Sequence, residues 1–113
     1  MVVTRSDFSN DYFTDATKEN LIYIKIEPIT LTLEVIERIH QGHRAMEMED
    51  KWNILTEENM IRAYRSWTGI ETLRAIIIDN KILGISYNKS NFRCDITIED
   101  IKRSFSGVLW YFS

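Results

Sequence analysis

The chain has 113 residues, with 14 Lys and Arg against 17 Asp and Glu, a net charge of -3, and 44% hydrophobic content. That length suits one domain with one core, and the acidic balance excludes the broad basic surface that general nucleic-acid binding needs. A single cysteine, Cys94, excludes an intrachain disulfide and fits a reducing compartment.

Residues 1–20 are polar, with Phe8, Tyr12 and Phe13 as their large apolar groups, and include four acidic side chains. They have no apolar signal-peptide core, and no run approaches the roughly 18 apolar residues of a membrane helix. The expectation is a cytoplasmic protein with no membrane association. Two roles stay open for this segment, a loose arm or an added edge of the sheet.

The alternating run LIYIKIE (21–27) predicts a first strand that ends before Pro28, with Ile22, Ile24 and Ile26 facing the core. A helix follows in TLEVIERIHQG. Thr32 is its N-cap, Glu34 suits the first turn, Val35, Ile36 and Ile39 form its apolar stripe, and Gly42 stops it. The stretch HRAMEMEDKW then gathers Glu47, Glu49 and Asp50 into an acidic cluster. KWNIL, the break TEEN and MIRAYRSW read as a hairpin, with Asn59 suited to a left-handed turn position.

ETLRAIII predicts another strand, DNK (79–81) a tight turn, and ILGISY its return, in which Gly84 marks a bulge or a close backbone approach. NKSN is a loop. In TIEDIKRSFSG, Thr97 and Asp100 form a capping box, Ile98, Ile101 and Phe105 line the buried side, and Gly107 ends the helix. The apolar run VLWYF completes the set as a last strand. The fold class is therefore α+β: a single domain over 1–113, with a mostly antiparallel sheet of about five to six strands and two helices on one face.

Catalytic signatures are sparse. His40 and His43 are spaced as helical metal ligands, with Glu47 or Glu49 as a third, but Gly42 interrupts the helix between them. Histidines near a helix C-terminus are also favourable through the dipole alone. The acidic run reads first as solvated surface, and Cys94 has no local signature. Neither a G-x-G-x-x-G nor a Walker A sequence is present. No metal and no cofactor is expected.

The unusual stretch is YRSWTG (64–69), where Arg65 and Trp67 would share one face of a strand ending in Thr68 and Gly69. A guanidinium fork beside an indole can hold an anion attached to a flat ring. The Thr68 hydroxyl and Gly69 N–H would complete the cradle, and Lys51 and Trp52 would join it across the hairpin. The competing reading buries Trp67 in the core and pairs Arg65 with the acidic run.

The stretches MEDKW (48–52) and RSWTG (65–69) resemble a pattern in small uncharacterised bacterial domains associated with proteins that handle ADP-ribose or NAD. The resemblance spans roughly residues 44–78, and NILTEENMIRAY has fewer aromatics than that pattern. It implies a site around Arg44, Asp50, Lys51, Trp52, Arg65, Trp67 and Thr68.

The leading expectation is a non-catalytic module binding an anionic, nucleotide-like ligand. An alternative is a small interaction protein or homodimer, such as an immunity protein, antitoxin or phage-encoded inhibitor. It would act through residues 47–50 and the aromatic end LWYF. A third reading is an enzyme with His43 or Glu49 as base and Arg65 as anion holder.

Overall fold

The computed structural model describes residues 2–9, 11–47 and 49–113; Met48, within the MEDKW stretch and the acidic run, lies outside them. Five strands and two α-helices follow one another as β1 (Leu21–Thr30), α1 (Leu33–Gln41), β2 (Trp52–Glu57), β3 (Met60–Arg65), β4 (Glu71–Ile78), β5 (Lys81–Asn88) and α2 (Ile98–Leu109). Single 3-10 turns lie at Arg5–Asp7, Lys89–Asn91 and Trp110–Phe112. The strands form one sheet in the order β1-β5-β4-β3-β2, each neighbour antiparallel. This is an α+β fold. After β1 the chain crosses through α1 to the opposite edge, then returns strand by strand.

The two helices cover one face. Ile39 of α1 and Ile101, Phe105 and Val108 of α2 join the core made by Ile54, Ile61, Ala63, Leu73, Ala75, Ile82 and Ile85. Thr32 Oγ1 accepts a hydrogen bond from Val35 N at 3.2 Å, and Thr97 with Asp100 forms a reciprocal box at the start of α2. Each cap satisfies backbone donors that the first helical turn leaves open. No helix among the described residues is long and apolar enough to cross a membrane.

Several local expectations need correction. Gly107 does not stop α2, and VLWYF is not a strand: the helix runs to Leu109 and a 3-10 turn follows. Ile101, Phe105, Val108 and Phe112 are all buried, at i, i+4, i+7 and i+11. Continuing the helix buries two more large side chains, which outweighs the roughly 1 kcal/mol cost of an interior glycine. At the other end of α2, Ile98 is exposed.

Strand β1 does not end at Pro28. It continues to Thr30 through an irregularity between Lys25 and Ile29, and an edge strand with a bulge tolerates a residue lacking N–H. Ile24 and Ile26 join the core side while Ile22 is exposed. In the β2–β3 turn the left-handed residue is Glu58, at φ 58°, not Asn59. At Gly84 the close approach is real, because the Tyr23 ring occupies the space that a Cβ would take.

The N-terminal segment lies across the opposite face of β2 and β3. Phe13 packs on the Tyr64 ring at 4.4 Å between centroids, with Phe8 and Tyr12 around it. This cover resolves the mixed pattern of β3. Ile61 and Ala63 face the helices, while Tyr64, on the other side, is fully buried beneath the segment.

Candidate functional site

The β2–β3 hairpin sets Trp52 directly opposite Arg65. Beyond Arg65 the chain leaves the sheet, so Trp67 does not share a strand face with Arg65 as the sequence suggests. Arg65 N donates to Ile70 O at 3.0 Å and Gly69 N donates to Arg65 O at 2.8 Å, closing a tight turn. Ser66 fastens this turn to the neighbouring strand entry: its N–H donates to Lys51 O at 2.9 Å and its hydroxyl to Asp50 O at 2.7 Å.

The N-terminal segment supports the turn from beneath. The Tyr12 hydroxyl donates to Ser66 O and accepts from Asn53 Nδ2 at 2.8 Å. Thr14 N donates to Gly69 O at 2.8 Å, and Glu71 N donates to Thr14 O at 2.9 Å. Gly69 has φ 71°, and a Cβ there would run into the Tyr12 carbonyl. Only glycine meets both the left-handed backbone and the close approach.

Arg65 extends over the indole of Trp52, with the guanidinium carbon 4.2 Å from the ring centroid. Trp52 itself is only 4% exposed. Burial draws the Arg65 pKa down from its ordinary value, with no carboxylate opposing that effect. Among the described residues Arg65 has no charged partner, which is uncommon for a half-buried guanidinium, since arginine is ordinarily buried only when paired. Beside it opens a cavity of about 570 Å³, lined by Glu49, Lys51, Arg65, Ser66, Trp67, Thr68 and Asn91. Trp67 stands at its side, 81% exposed.

Lys51, Arg65, Trp67 and Thr68 are thus brought together, as the sequence suggests. Four expected members, Trp52, Gly69, Arg44 and Asp50, have other positions. Trp52 is a buried platform under Arg65, so it presents no free face for stacking. The Gly69 N–H is consumed by Arg65 O, and its backbone is buried. Arg44 lies over the Phe8 ring at 5.2 Å and is not part of the cavity lining. Asp50 accepts from Met46 N at 2.9 Å, and this bond holds its carboxyl below the ordinary value. Glu49, which the sequence offers as a metal ligand or a base beside Arg65, also lines the cavity, while Ser66 and Asn91 are lining residues that the sequence does not single out as ligand contacts. Asn91 reaches the cavity from the NKSN loop, whose sequence gives no sign of proximity to residue 65.

The histidines diverge at Gly42, whose φ of 75° ends α1. His40 Nδ1 lies 2.9 Å from Ile36 O within the helix. His43 bridges to Ile54 through both backbone groups, and its ring stacks on Tyr111 at 3.9 Å. Its Nε2 is 3.7 Å from Asp50 and otherwise unpartnered among the described residues. Burial lowers its pKa, with Asp50 opposing. No group of three or more His, Cys, Asp or Glu side chains among the described residues is placed to share a metal ion.

A second polar cluster lies under the N-terminal segment, where Arg5, Arg62 and Arg74 meet Asp15, Glu57 and Glu71. Glu71, fully buried, accepts from Arg74 Nη2 at 2.7 Å, Arg62 Nε at 3.0 Å and Ala16 N at 3.0 Å. Arg5 Nε donates to Glu57 at 2.7 Å, and the Tyr64 hydroxyl donates to Asp15 at 2.7 Å. The hydrogen bond to Glu57 is the largest influence raising the Arg5 pKa, while burial above all raises that of Tyr64. Three arginines balance three carboxylates, and the groups satisfy one another. The arrangement is a clamp holding the segment to the sheet.

Comparison with protein-family models, with curated proteins and with solved structures finds no match to this chain.

Proposed function

We propose that this chain is a non-catalytic binding module for an anionic, nucleotide-like ligand, held at the turn that follows β3. The observation that carries this reading is the half-buried Arg65 guanidinium, without a charged partner among the described residues, opening onto a cavity beside an exposed tryptophan. Arg65 and Lys51 supply charge for phosphate oxygens, in the bidentate manner available to a planar fork. Trp67 offers a flat face to a base, an interaction of roughly 1–3 kcal/mol per stacked ring. The Thr68 hydroxyl adds a donor at the rim, while Trp52 fixes Arg65 from below without touching ligand.

A thermal-shift screen tests this against nucleotides, simple anions and divalent metals. A ligand present at 100 times its dissociation constant adds about 2.7 kcal/mol of stability, which a domain of this size registers as a rise of several degrees. Arg65→Ala should abolish that rise without lowering the unliganded midpoint by a comparable amount. A shift that persists in Arg65→Ala places the ligand elsewhere and overturns the reading.

A second reading, a protein-interaction module or homodimer, is favoured by a different surface. The N-terminal segment covers β2, β3 and the start of β4, leaving Tyr23, Ile76 and Ile78 about half exposed or more on the remaining outer face. The aromatic end serves this role less well than its sequence suggests. Phe112 is buried and Tyr111 stacks on His43, so only Trp110 projects. Light scattering after size exclusion separates monomer from dimer, and charged substitutions at Ile76 and Ile78 should dissolve any dimer formed there.

A further inference from the structure

We infer that the ligand of the turn after β3 carries a ribose diol, and that Glu49 accepts hydrogen bonds from its hydroxyls. The inference rests on the binding reading above and narrows its ligand class from anionic nucleotide-like compounds to ribonucleotides. The charge composition of the cavity is mixed. Lys51 and Arg65 line it together with one carboxylate, Glu49. A site for bare phosphate or pyrophosphate gains nothing from a carboxylate beside its cations, because like charges repel the incoming anion.

Glu49 is exposed and enters neither an ion pair nor a side-chain hydrogen bond among the described residues. It is therefore an acceptor that no protein donor among the described residues occupies and that can exchange water for a ligand hydroxyl. An ionised carboxylate only accepts hydrogen bonds, so its complement must be a donor. A vicinal diol next to a phosphate provides two such donors at the position where an anion would not fit. The remaining lining follows the same division of labour. Trp67 provides the stacking face, Arg65 and Lys51 the phosphate contacts, and the Asn91 amide both a donor and an acceptor for a base edge.

Isothermal titration calorimetry at fixed salt tests the assignment. The titrants are the four ribonucleoside diphosphates, their 2′-deoxy counterparts and inorganic pyrophosphate, run against the wild-type protein, Glu49→Gln and Arg65→Ala. The expected result is at least one ribonucleotide binding about tenfold tighter than its deoxy form, the effect of one charge-assisted hydrogen bond at an open site. Glu49→Gln should erase that preference and leave pyrophosphate bound equally well or about twofold tighter, through loss of the repulsion. Ribo and deoxy forms binding alike, both weakened by Arg65→Ala, would overturn the diol assignment while supporting the anion site. Pyrophosphate binding tighter than every nucleotide would overturn it as well. Binding by none of these titrants would overturn the nucleotide reading itself.

Discussion

Replacing Glu71 by glutamine removes the charge at the centre of the clamp while keeping its shape. Glu71 is 0% exposed and receives N–H groups from Arg62 Nε and Nη2, Arg74 Nε and Nη2, and Ala16 N, at 2.7 to 3.3 Å. Glutamine retains one carbonyl oxygen and turns an NH₂ group toward donors, so some of these bonds become donor–donor contacts. Breaking a buried ion pair by altering one partner costs about 3–5 kcal/mol. Arg62 keeps Glu57 at 3.0 Å, and both arginines retain some contact with water, which argues for the lower end, about 3 kcal/mol. For a domain of this size that corresponds to a fall in Tm of about 10–12 °C. Urea denaturation followed by circular dichroism gives the free energy, and amide exchange should quicken across residues 12–16, which the clamp anchors. A loss below about 1 kcal/mol would refute the reasoning. It would mean that desolvation cancels the ion pairs and that Phe13 on Tyr64 alone secures the segment.

Two further outcomes concern the turn and the histidine. Gly69→Ala places a Cβ at a left-handed position and against the Tyr12 carbonyl, so it should destabilise by about 2 kcal/mol or more; a loss under about 0.5 kcal/mol by urea denaturation would mean that the turn shifts freely. His43 has a folded-state pKa below its ordinary 6.5 because burial disfavours the imidazolium. The folded protein therefore keeps full stability above about pH 6.5 and loses part of it as pH falls from there toward the lowered value. Thermal melts between pH 7.5 and pH 5 should show this decline in the wild type. The slope should be shallower in His43→Phe, which keeps the stack on Tyr111. Equal slopes would refute the assignment.

How much of this was legible in the sequence varied with the range of the interaction concerned. Both helix starts were, because Thr32 and Thr97 act within three residues of themselves. The hairpin register that sets Trp52 beside Arg65 was legible too, since a short turn leaves few alternatives. The end of α2 was not legible, for a local reason. Gly107 is a strong stop signal, and the i, i+4, i+7 spacing of Ile101, Phe105 and Val108 that overrides it becomes decisive only once a sheet lies beneath. The buried Tyr64 and Glu71 were illegible because their cover comes from Arg5 and residues 13–16, about fifty or more positions away in sequence. For the candidate site, residue types pointed to Arg65, Trp67, Lys51 and Thr68, which do line one cavity. Buried Trp52, consumed Gly69 N–H and distant Arg44 could be placed only by the tertiary arrangement.

The support of the turn by Tyr12 and Thr14 has a kinetic side. Contacts between residues 12–14 and 66–70 span more than fifty residues, so the entropy of closing that loop must be met before they form. The β2–β3 and β3–β4 pairings are far more local, and topology favours their forming earlier. On this ordering the concavity at Arg65 takes shape late in folding, when the segment before β1 docks on the sheet. Any transient release of that segment takes the floor from under residues 66–69, so the turn and the segment open and close as one cooperative unit.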